Sequence, residues 1–381
     1  MTPAPPLVPL IPANPPARGT PGYLTLSSAF IDPRLAATGA LVECMREVLR
    51  DPGPSTFAHL QGYPPLRQAI AARLARAGIA ADPAHILITV GSQHALDLVC
   101  RSLAVRRIAA ESPAYGAGKA LFALCDLAMT PLPLDPFRGL DAPAWYARLA
   151  AARPALAVVT RRFHNPTGYS YRPDELAQIA AWSAELGFGL LEDDWASDML
   201  PGAPGPSLRA LGGDDVLYMN AFTKKLVPSL RLGYLVASER TLPSLLQAKK
   251  LSINGGPALL EEALCALLEC GHYDAHLARV QHELAGRYAH CLAALRAGMP
   301  AGVRWTEPGG GPLLWLELPR RVSIPRLIAE LAERRVLVTS QDQAFTGTPH
   351  LHGVTLGYAF LDRVEMATAI EILGERLEQQ L

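Results

Sequence analysis

Residues 155–195 read ALAVVTRRFHNPTGYSYRPDELAQIAAWSAELGFGLLEDDW, with a short apolar run on either side of one helical pattern. Both runs, ALAVVT (155–160) and FGLLED (188–193), have the length and composition of buried strands. Between them, residues 172–187 have helical periodicity and are bounded by a proline and a glycine, which commonly begin and end helices. A strand, a helix and a strand in this order predict two parallel strands joined by a crossover helix.

The same alternation extends from this unit toward both ends of the chain. Further helices are predicted at 40–50, 64–78 and just after residue 91, and further strands at 86–90, 106–112, 216–221 and 231–238. Strands that alternate with helices of about 10–15 residues predict a mostly parallel sheet with helices on both faces. We therefore predict an α/β fold, with three α/β/α layers around a mostly parallel sheet.

The chain changes character after about residue 240. Long helical patterns come first, followed by the turn-and-strand segment VRWTEPGGGPLLWLELP, a helix at 325–335, a strand near 336–340 and a last helix near 362–380. The first 22 residues are too rich in proline to form a helix. These observations predict an extended arm (1–22), a large domain (45–275) and a smaller α+β domain formed by 23–44 and 276–381.

Charge and composition exclude several classes of protein. Lysine plus arginine and aspartate plus glutamate number 35 each in 381 residues, without a long run of like charge. Binding to nucleic acid or to an anionic membrane is therefore not expected. No window approaches about 18 uninterrupted apolar residues, and the start is unlike a secretory signal. The six cysteines lack CxxC spacing, which favours free thiols, so the sequence predicts a cytoplasmic protein without a metal site.

The residues that follow the predicted strands carry polar and charged groups. Ligands of α/β sheets bind beyond the carboxyl ends of the strands. Gly91, Ser92 and Gln93 follow the strand at 86–90 and open a helix, whose free N–H groups attract anions. Such a turn is a weak indication alone, because most are ordinary helix caps.

Three further strands are followed by an amide, an acid pair and a group of cations. In chain order these residues are Asn165, Asp193, Asp194, Thr223, Lys224, Lys225 and Arg231. An acid pair alone is equally typical of a solvated turn. Together, however, an anion site, an acid, an amide and a lysine match pyridoxal 5'-phosphate, which has a phosphate, a basic ring nitrogen and an aldehyde that a lysine captures.

Seven motifs resemble, in sequence order, those of fold-type I pyridoxal-phosphate enzymes, the aspartate aminotransferase superfamily. The motifs are GYPPLRQAIAARLARAGI, ITVGSQHALDLV, ESPAYG, HNPTG, LEDDW, FTKKLVPSLRLGY and GHYDAHLARV. The resemblance covers about residues 25–375 and is strongest to the aminotransferase-like domain of MocR-type regulators of the GntR family. We expect no winged-helix domain, because no matching segment precedes these motifs.

The resemblance implies a role for each residue. Lys224 matches the lysine that forms the Schiff base and moves the substrate Cα proton, and Asp193 matches the acid that pairs with the pyridinium nitrogen and stabilises the quinonoid. Tyr115 matches the aromatic ring that stacks on the cofactor. The other matches are Asn165 for the ring hydroxyl and Gly91, Ser92, Gln93, Thr223 and Arg231 for the phosphate. Lys225 is expected to be solvated or to lie behind the site, and Asp194 to be structural.

Four positions depart from the family pattern. Trp195 replaces a tyrosine that bonds the ring oxygen, and an indole N–H donates but does not accept. Ala221 replaces a hydroxyl residue near the phosphate, and Phe57 replaces a tyrosine that reaches the phosphate of the neighbouring subunit. Thr355, within HGVTLGYAF, replaces the arginine that grips the substrate carboxylate in a bidentate fork.

The missing arginine leaves the substrate open. Arg18, Arg34 and Arg162 are candidates for its replacement, while His352 is expected to be an ordinary histidine rather than an anion ligand. We predict an aminotransferase that acts on an amino acid or a related amine, with an oxo acid as product. Two alternatives remain open: another reaction of the same cofactor (racemisation, decarboxylation, elimination or replacement, cyclisation, oxidation), and a non-catalytic ligand sensor. The resemblance also implies a homodimer with shared active sites.

Overall fold

The computed structural model describes residues 21–50, 58–200 and 205–381. Its strands are β1 (Leu24–Thr25), β2 (Ile86–Thr89), β3 (Arg107–Ser112), β4 (Ala128–Asp135), β5 (Gly139–Leu140), β6 (Leu156–Thr160), β7 (Gly189–Asp193), β8 (Leu217–Ala221), β9 (Gly233–Val236), β10 (Arg304–Trp305), β11 (Leu313–Glu317), β12 (Val336–Leu337) and β13 (Gly353–Gly357). The large sheet has the order β2-β9-β8-β7-β6-β3-β4-β5. Strands β4, β3, β6, β7 and β8 run parallel, whereas β9 is antiparallel to both of its neighbours and β5 is antiparallel to β4.

The helices alternate with these strands in the first two thirds of the chain. They are α1 (Thr38–Arg50), α2 (Pro64–Arg76), α3 (Ser92–Ser102), α4 (Gly116–Leu124), α5 (Ala142–Ala152), α6 (Pro173–Leu186), α7 (Leu208–Gly212), α8 (Leu242–Ser252), α9 (Ala258–Glu269), α10 (His272–Gly298), α11 (Ile324–Glu333) and α12 (Arg363–Glu378). The proline and glycine that predict the ends of α6 lie where expected. The helix begins at Pro173, and Gly187, which follows its last residue, has the left-handed conformation. Within the described ranges, none of the helices has both the length and the apolar character needed to cross a bilayer.

Successive residues of the central strands point to opposite faces of the large sheet. On β3, Ile108 and Ala110 pack with α3 and α8, whereas Ala109 packs on the other face with α5 and α6. The same division holds on β6, where Leu156 and Val158 lie on the first face. Both faces are covered by helices, which confirms the predicted α/β fold with three layers.

A second core surrounds the small antiparallel sheet β10-β11-β13, together with α11, α12 and the end of α10. Helix α10 reaches both cores: Leu277 packs below the large sheet, Leu295 packs in the second core, and Leu284 lies between them in a cluster with Trp195. One long helix therefore connects the two parts. The predicted domain boundaries stay a prediction, and most of the predicted arm lies outside the described residues.

Two features of the sheets were not predicted. Strand β4 contains Pro131 and Pro133, which discourage a strand assignment. On one side of β4, however, β5 pairs only with the last two residues of β4, so most of that edge needs no N–H donors. The antiparallel direction of β9 was not predicted either, because no local pattern in the sequence indicates it. The strand predicted near 336–340 is shorter than expected: β12 covers only Val336–Leu337, and Ser340 adds one isolated bridge to Val354.

Candidate active site

The carboxyl ends of β2, β3, β6, β7 and β8 meet at one edge of the large sheet, where a cavity opens. It is lined by Ala29, Phe30, Ser92, Gln93, Tyr115, Asn165, Trp195, Ala221, Thr223, Lys224 and Arg231. Eight of the ten predicted site residues belong to this lining. The other two lie next to the cavity. Gly91 lies against Arg231, and Asp193 is close enough to Lys224 for their charges to interact.

The amine of Lys224 lies among aromatic rings. Its Nζ is 4.1 Å from the ring centroid of Trp195, 5.7 Å from that of Tyr115 and 5.9 Å from that of Phe30. Aromatic faces of this kind accommodate both a cationic amine and a flat ring. Phe30 was not among the predicted site residues, because it comes from a segment near the start of the chain that no local pattern links to the site.

Lys225 does not line the cavity. Its side chain is 1% exposed, and its Nζ lies 2.7 Å from Asp198 Oδ1 and 2.8 Å from Asn220 Oδ1. Of the two places expected for this lysine, the structure shows the one behind the site and not the solvated one. Lys224 is therefore the lysine that lines the cavity.

Gly91 and the start of α3 form a concave surface beside Arg231. Gly91 has a φ of 82°, and a Cβ there would lie 3.3 Å from Arg231 Nη2 and 3.5 Å from Thr223 Oγ1. In the described chain no side chain caps α3, so its first N–H groups are left for a ligand. Helix N–H groups, a guanidinium and a hydroxyl together suit a phosphate.

Asp193 ends β7, and its Oδ1 is shielded from solvent without a hydrogen-bond partner among the described residues. Burial raises the pKa of Asp193 to about 7, and the nearby charge of Lys224 opposes this rise. A protonated ring nitrogen would supply the missing donor and favour the ionised acid. Asp194 is bound internally instead, because its Oδ2 accepts hydrogen bonds from Arg161 Nη2 at 2.8 Å and from the Tyr218 hydroxyl at 2.7 Å.

Two more buried polar atoms at the cavity, Trp195 Nε1 and Thr223 Oγ1, have no hydrogen-bond partner in the part of the chain that the structure describes. Buried polar atoms are costly without partners, so this group indicates a ligand that both donates and accepts. Pyridoxal phosphate has the complementary groups: a ring N–H for Asp193, and oxygens for Trp195 and Thr223. The residues present therefore fit this cofactor.

Thr355, on β13, lies beside the loop that carries Asn165. Its Oγ1 donates a hydrogen bond of 2.9 Å to the carbonyl oxygen of Pro166, and the residue is buried. Thr306 Oγ1 donates at 3.1 Å to the next carbonyl, that of Thr167. The small sheet thus holds this loop through two hydroxyl groups.

The candidate replacements for a substrate-binding arginine have other contacts or lie outside the described residues. Arg34 forms ion pairs with three carboxylates. The guanidinium of Arg162 lies 5.1 Å from the ring centroid of Phe163. Arg18 lies outside the described residues.

Two other residues named in the sequence analysis are His352 and Phe57. His352 Nε2 lies 2.9 Å from the carbonyl oxygen of Val322, a contact typical of an ordinary structural histidine. Phe57 lies outside the described residues.

Known proteins match nearly the whole chain. Residues 33–357 match the model of the family "Aminotransferase class I and II". The chain is 30% identical over 367 residues to 2-aminoadipate transaminase of Thermus thermophilus, covering 94% of this chain and 91% of that enzyme. It is 28% identical over 370 residues to the HTH-type transcriptional regulator YdcR of Escherichia coli, covering 95% of this chain and 78% of that protein.

A solved structure supports the same assignment. LysN, the alpha-aminoadipate aminotransferase of Thermus thermophilus, was crystallised in complex with N-(5'-phosphopyridoxyl)-L-leucine. It superposes with a TM-score of 0.87 at 29% identity, covering 94% of this chain and 93% of that one. The chain therefore belongs to the class I and II aminotransferase family, and it is a pyridoxal-phosphate-dependent transferase.

Proposed function

We propose that the protein transfers an amino group from an amino acid or a related amine to an oxo acid, with Lys224 and Asp193 as its catalytic residues. One observation carries this proposal. Lys224 shares a cavity with Arg231, beside the concave surface at Gly91, and it lies near the shielded carboxylate of Asp193. Pyridoxal phosphate, when bound, supplies an electron-accepting ring that stabilises negative charge at the substrate carbon.

The side chains of the cavity then have distinct tasks. Lys224 would hold the cofactor through its aldehyde, and the amine of Lys224, when free, would take the proton from the substrate Cα. Asp193 keeps a proton on the ring nitrogen by offering a carboxylate to it. The rings of Tyr115 and Trp195 exclude water from the site, and the amide of Asn165 donates to the ring hydroxyl.

The class of substrate depends on which side chains of the cavity can bind a substrate carboxylate. The hydroxyl of Thr355 is already bound to Pro166, and Arg231 is the only arginine that the structure shows in the cavity lining. Amines without a carboxylate therefore belong among the candidate donors, beside amino acids. 2-Aminoadipate is included because the similar Thermus thermophilus enzyme is a 2-aminoadipate transaminase.

The test is a single-turnover screen. Protein loaded with pyridoxal phosphate is mixed with each amino acid or amine, and the visible absorbance of the bound cofactor is followed while the products are identified by chromatography. Transamination converts the cofactor to its amino form and releases an equal amount of oxo acid or aldehyde. Release of another product, with the cofactor unchanged, supports a different reaction of the same cofactor.

A second candidate is a ligand sensor without turnover. The similarity to the regulator YdcR, which extends over 95% of this chain, favours it. In the same screen, a spectral change on amine binding that leads to no released product would support this role. Oxo acid at one equivalent per site would exclude it.

We also infer a homodimer with active sites near the subunit interface. Leu251 and Ile253 are 77% and 42% exposed, and Ser252 between them lies 3.4 Å from Nε2 of His94, the residue after Gln93. Exposed apolar side chains beside the site are suited to contact with a second copy of the chain. The cytoplasmic location stays a prediction from the sequence.

A further inference from the structure

A buried acid, Glu111, lies behind the cavity and has no part in the function proposed above. It is the penultimate residue of β3 and is 3% exposed. Its Oε1 accepts hydrogen bonds from the backbone N–H of Thr160 at 2.6 Å and from the hydroxyl of Tyr171 at 3.2 Å. Its Oε2 lies 3.8 Å from Nε2 of His164.

His164 is fully buried and is bound on the other side of its ring. Its Nδ1 lies 2.8 Å from Thr167 Oγ1, while its Nε2 has no hydrogen-bond partner within the described residues. Burial lowers the pKa of His164 to about 3, so the imidazole is neutral. The backbone of Pro113 also acts on this ring and opposes the fall of its pKa. In the tautomer whose Nδ1–H donates to Thr167, Nε2 is an acceptor that faces Glu111.

Glu111 and His164 lie on the two segments that carry residues of the proposed cofactor site. Tyr115 follows Glu111 by four residues, and Asn165 is the residue after His164. Thr160, whose N–H binds Glu111, is paired with Asp193 across β6 and β7. A change at Glu111 therefore reaches the residues proposed for ring stacking, for the ring hydroxyl and for the ring nitrogen.

The surroundings of Glu111 favour its protonated form. The groups that face it are His164, Tyr171, the Thr160 N–H and, at longer range, Asp193. In the described chain, none of these is a cation, and the most distant is another acid. Burial, with a contribution from the charge of Asp193, raises the pKa of Glu111 to about 8, although the hydrogen bonds from Thr160 and Tyr171 oppose this rise.

We propose that Glu111 is a positioning residue that acts as a neutral acid: its carboxyl O–H donates to His164 Nε2, and this uncharged pair holds the loops of Tyr115 and Asn165 against the cofactor. A closure of about 1 Å between Oε2 and Nε2 completes the bond. The pair leaves Asp193 as the charged acid at the ring nitrogen, because a second carboxylate behind it would resist its ionisation. This inference rests on the proposed cofactor site.

The test compares Glu111→Gln with Glu111→Leu in protein loaded with pyridoxal phosphate. Glutamine keeps an acceptor for Thr160 and a donor for His164 but does not ionise, whereas leucine keeps only the bulk. We expect E111Q to bind the cofactor within about threefold of the wild type at pH 7, and to keep that affinity near pH 9, where the wild type weakens. We expect folded E111L to bind at least about tenfold more weakly, with an altered visible spectrum.

Each outcome decides between these roles. If E111Q binds as poorly as E111L, Glu111 acts as an anion. If E111Q weakens with pH as the wild type does, the pH dependence comes from another group. Either result overturns the proposal. If E111L has wild-type affinity and spectrum, Glu111 has no positioning role. If E111L does not fold, the two measurements on E111Q decide alone. All of these leave the proposed function intact, whereas wild-type protein that takes up no cofactor at Lys224 would overturn both.

Discussion

Lys225 Nζ lies 2.7 Å from Asp198 Oδ1 in the interior of the protein, although its neighbour Lys224 lines the cavity. The two adjacent lysines after β8 therefore have opposite surroundings. The amine of Lys225 is buried in an ion pair with the partly exposed Asp198, and that of Lys224 lies among three aromatic rings. Burial and pairing make Lys225 structural, so of these two lysines Lys224 is the one for which we propose a chemical role.

Replacement of each lysine in turn separates these roles. Lys224→Ala removes the amine that bonds the cofactor, so borohydride reduction followed by peptide mapping is expected to find no labelled peptide. Lys225→Met keeps the bulk and is expected to retain labelling, while the free energy of unfolding falls by about 3 kcal/mol because Asp198 loses its buried partner. Labelling of any other residue in folded Lys224→Ala protein contradicts the assignment.

The adjacent acids provide a second matched pair. Asp193→Asn removes the charge at the ring nitrogen, and we expect exchange of the substrate Cα proton to slow by about 100-fold or more with little loss of stability. Asp194→Asn is expected to lower the free energy of unfolding by about 3 kcal/mol, because Arg161 loses a charged partner in the interior. Proton exchange measured by NMR and unfolding in urea give the two readings. Equal exchange rates in the two variants would remove Asp193 from the mechanism.

The stability of the cofactor-free protein is expected to depend on pH through Glu111. Its pKa is raised from 4.5 to about 8, so the folded protein keeps a proton that the unfolded chain releases between these values. The stability that neutral Glu111 contributes is therefore complete below about pH 4.5 and is lost as the pH rises toward 8. Relative to Glu111→Gln, the wild type should lose a few kcal/mol over this range, at about 1.4 kcal/mol per pKa unit. A difference in urea unfolding that stays constant with pH contradicts this expectation.

The hydroxyl of Thr355 is expected to act through the loop of Asn165. Thr355→Val leaves the carbonyl of Pro166 without its donor, which should cost about 1–3 kcal/mol of unfolding free energy and weaken cofactor binding. Thr355→Ser keeps the donor and should restore most of both. Calorimetric unfolding and cofactor titration measure these effects. If the valine and serine variants behave alike, the hydroxyl of Thr355 does not hold the loop.

Self-association should depend on the apolar surface beside His94. Leu251→Glu places a charge at a position that is 77% exposed in one chain, and we expect it to shift sedimentation from dimer to monomer. Val364→Glu is the matched control, because Val364 is equally exposed but lies on α12, the helix that packs in the second core. If Leu251→Glu remains dimeric, the proposed interface is elsewhere.

Chemistry at the ends of strands was predictable from the sequence, because apolar runs mark the strands and the next polar residue then has a defined position. The positions of Asp193 and Lys224 at one edge of the sheet were predicted in this way, and their catalytic roles stay a proposal. Phe30, Glu111 and the hydrogen bond of Thr355 were not predicted, because each depends on contact between segments that are far apart in the chain. Glu111 did leave one signal, an acid at the end of an apolar strand, but its partner His164 becomes visible only when the two loops are placed together.

The turn between β8 and β9 carries both Lys224 and Arg231. Pairing of Ala221 with Gly233 fixes the two ends of this turn, because β9 runs antiparallel to β8. Backbone hydrogen bonds therefore fix the ends of the segment from which the amine and the guanidinium extend. A ligand that engages both groups must match the span between them, so this hairpin discriminates among molecules by their length.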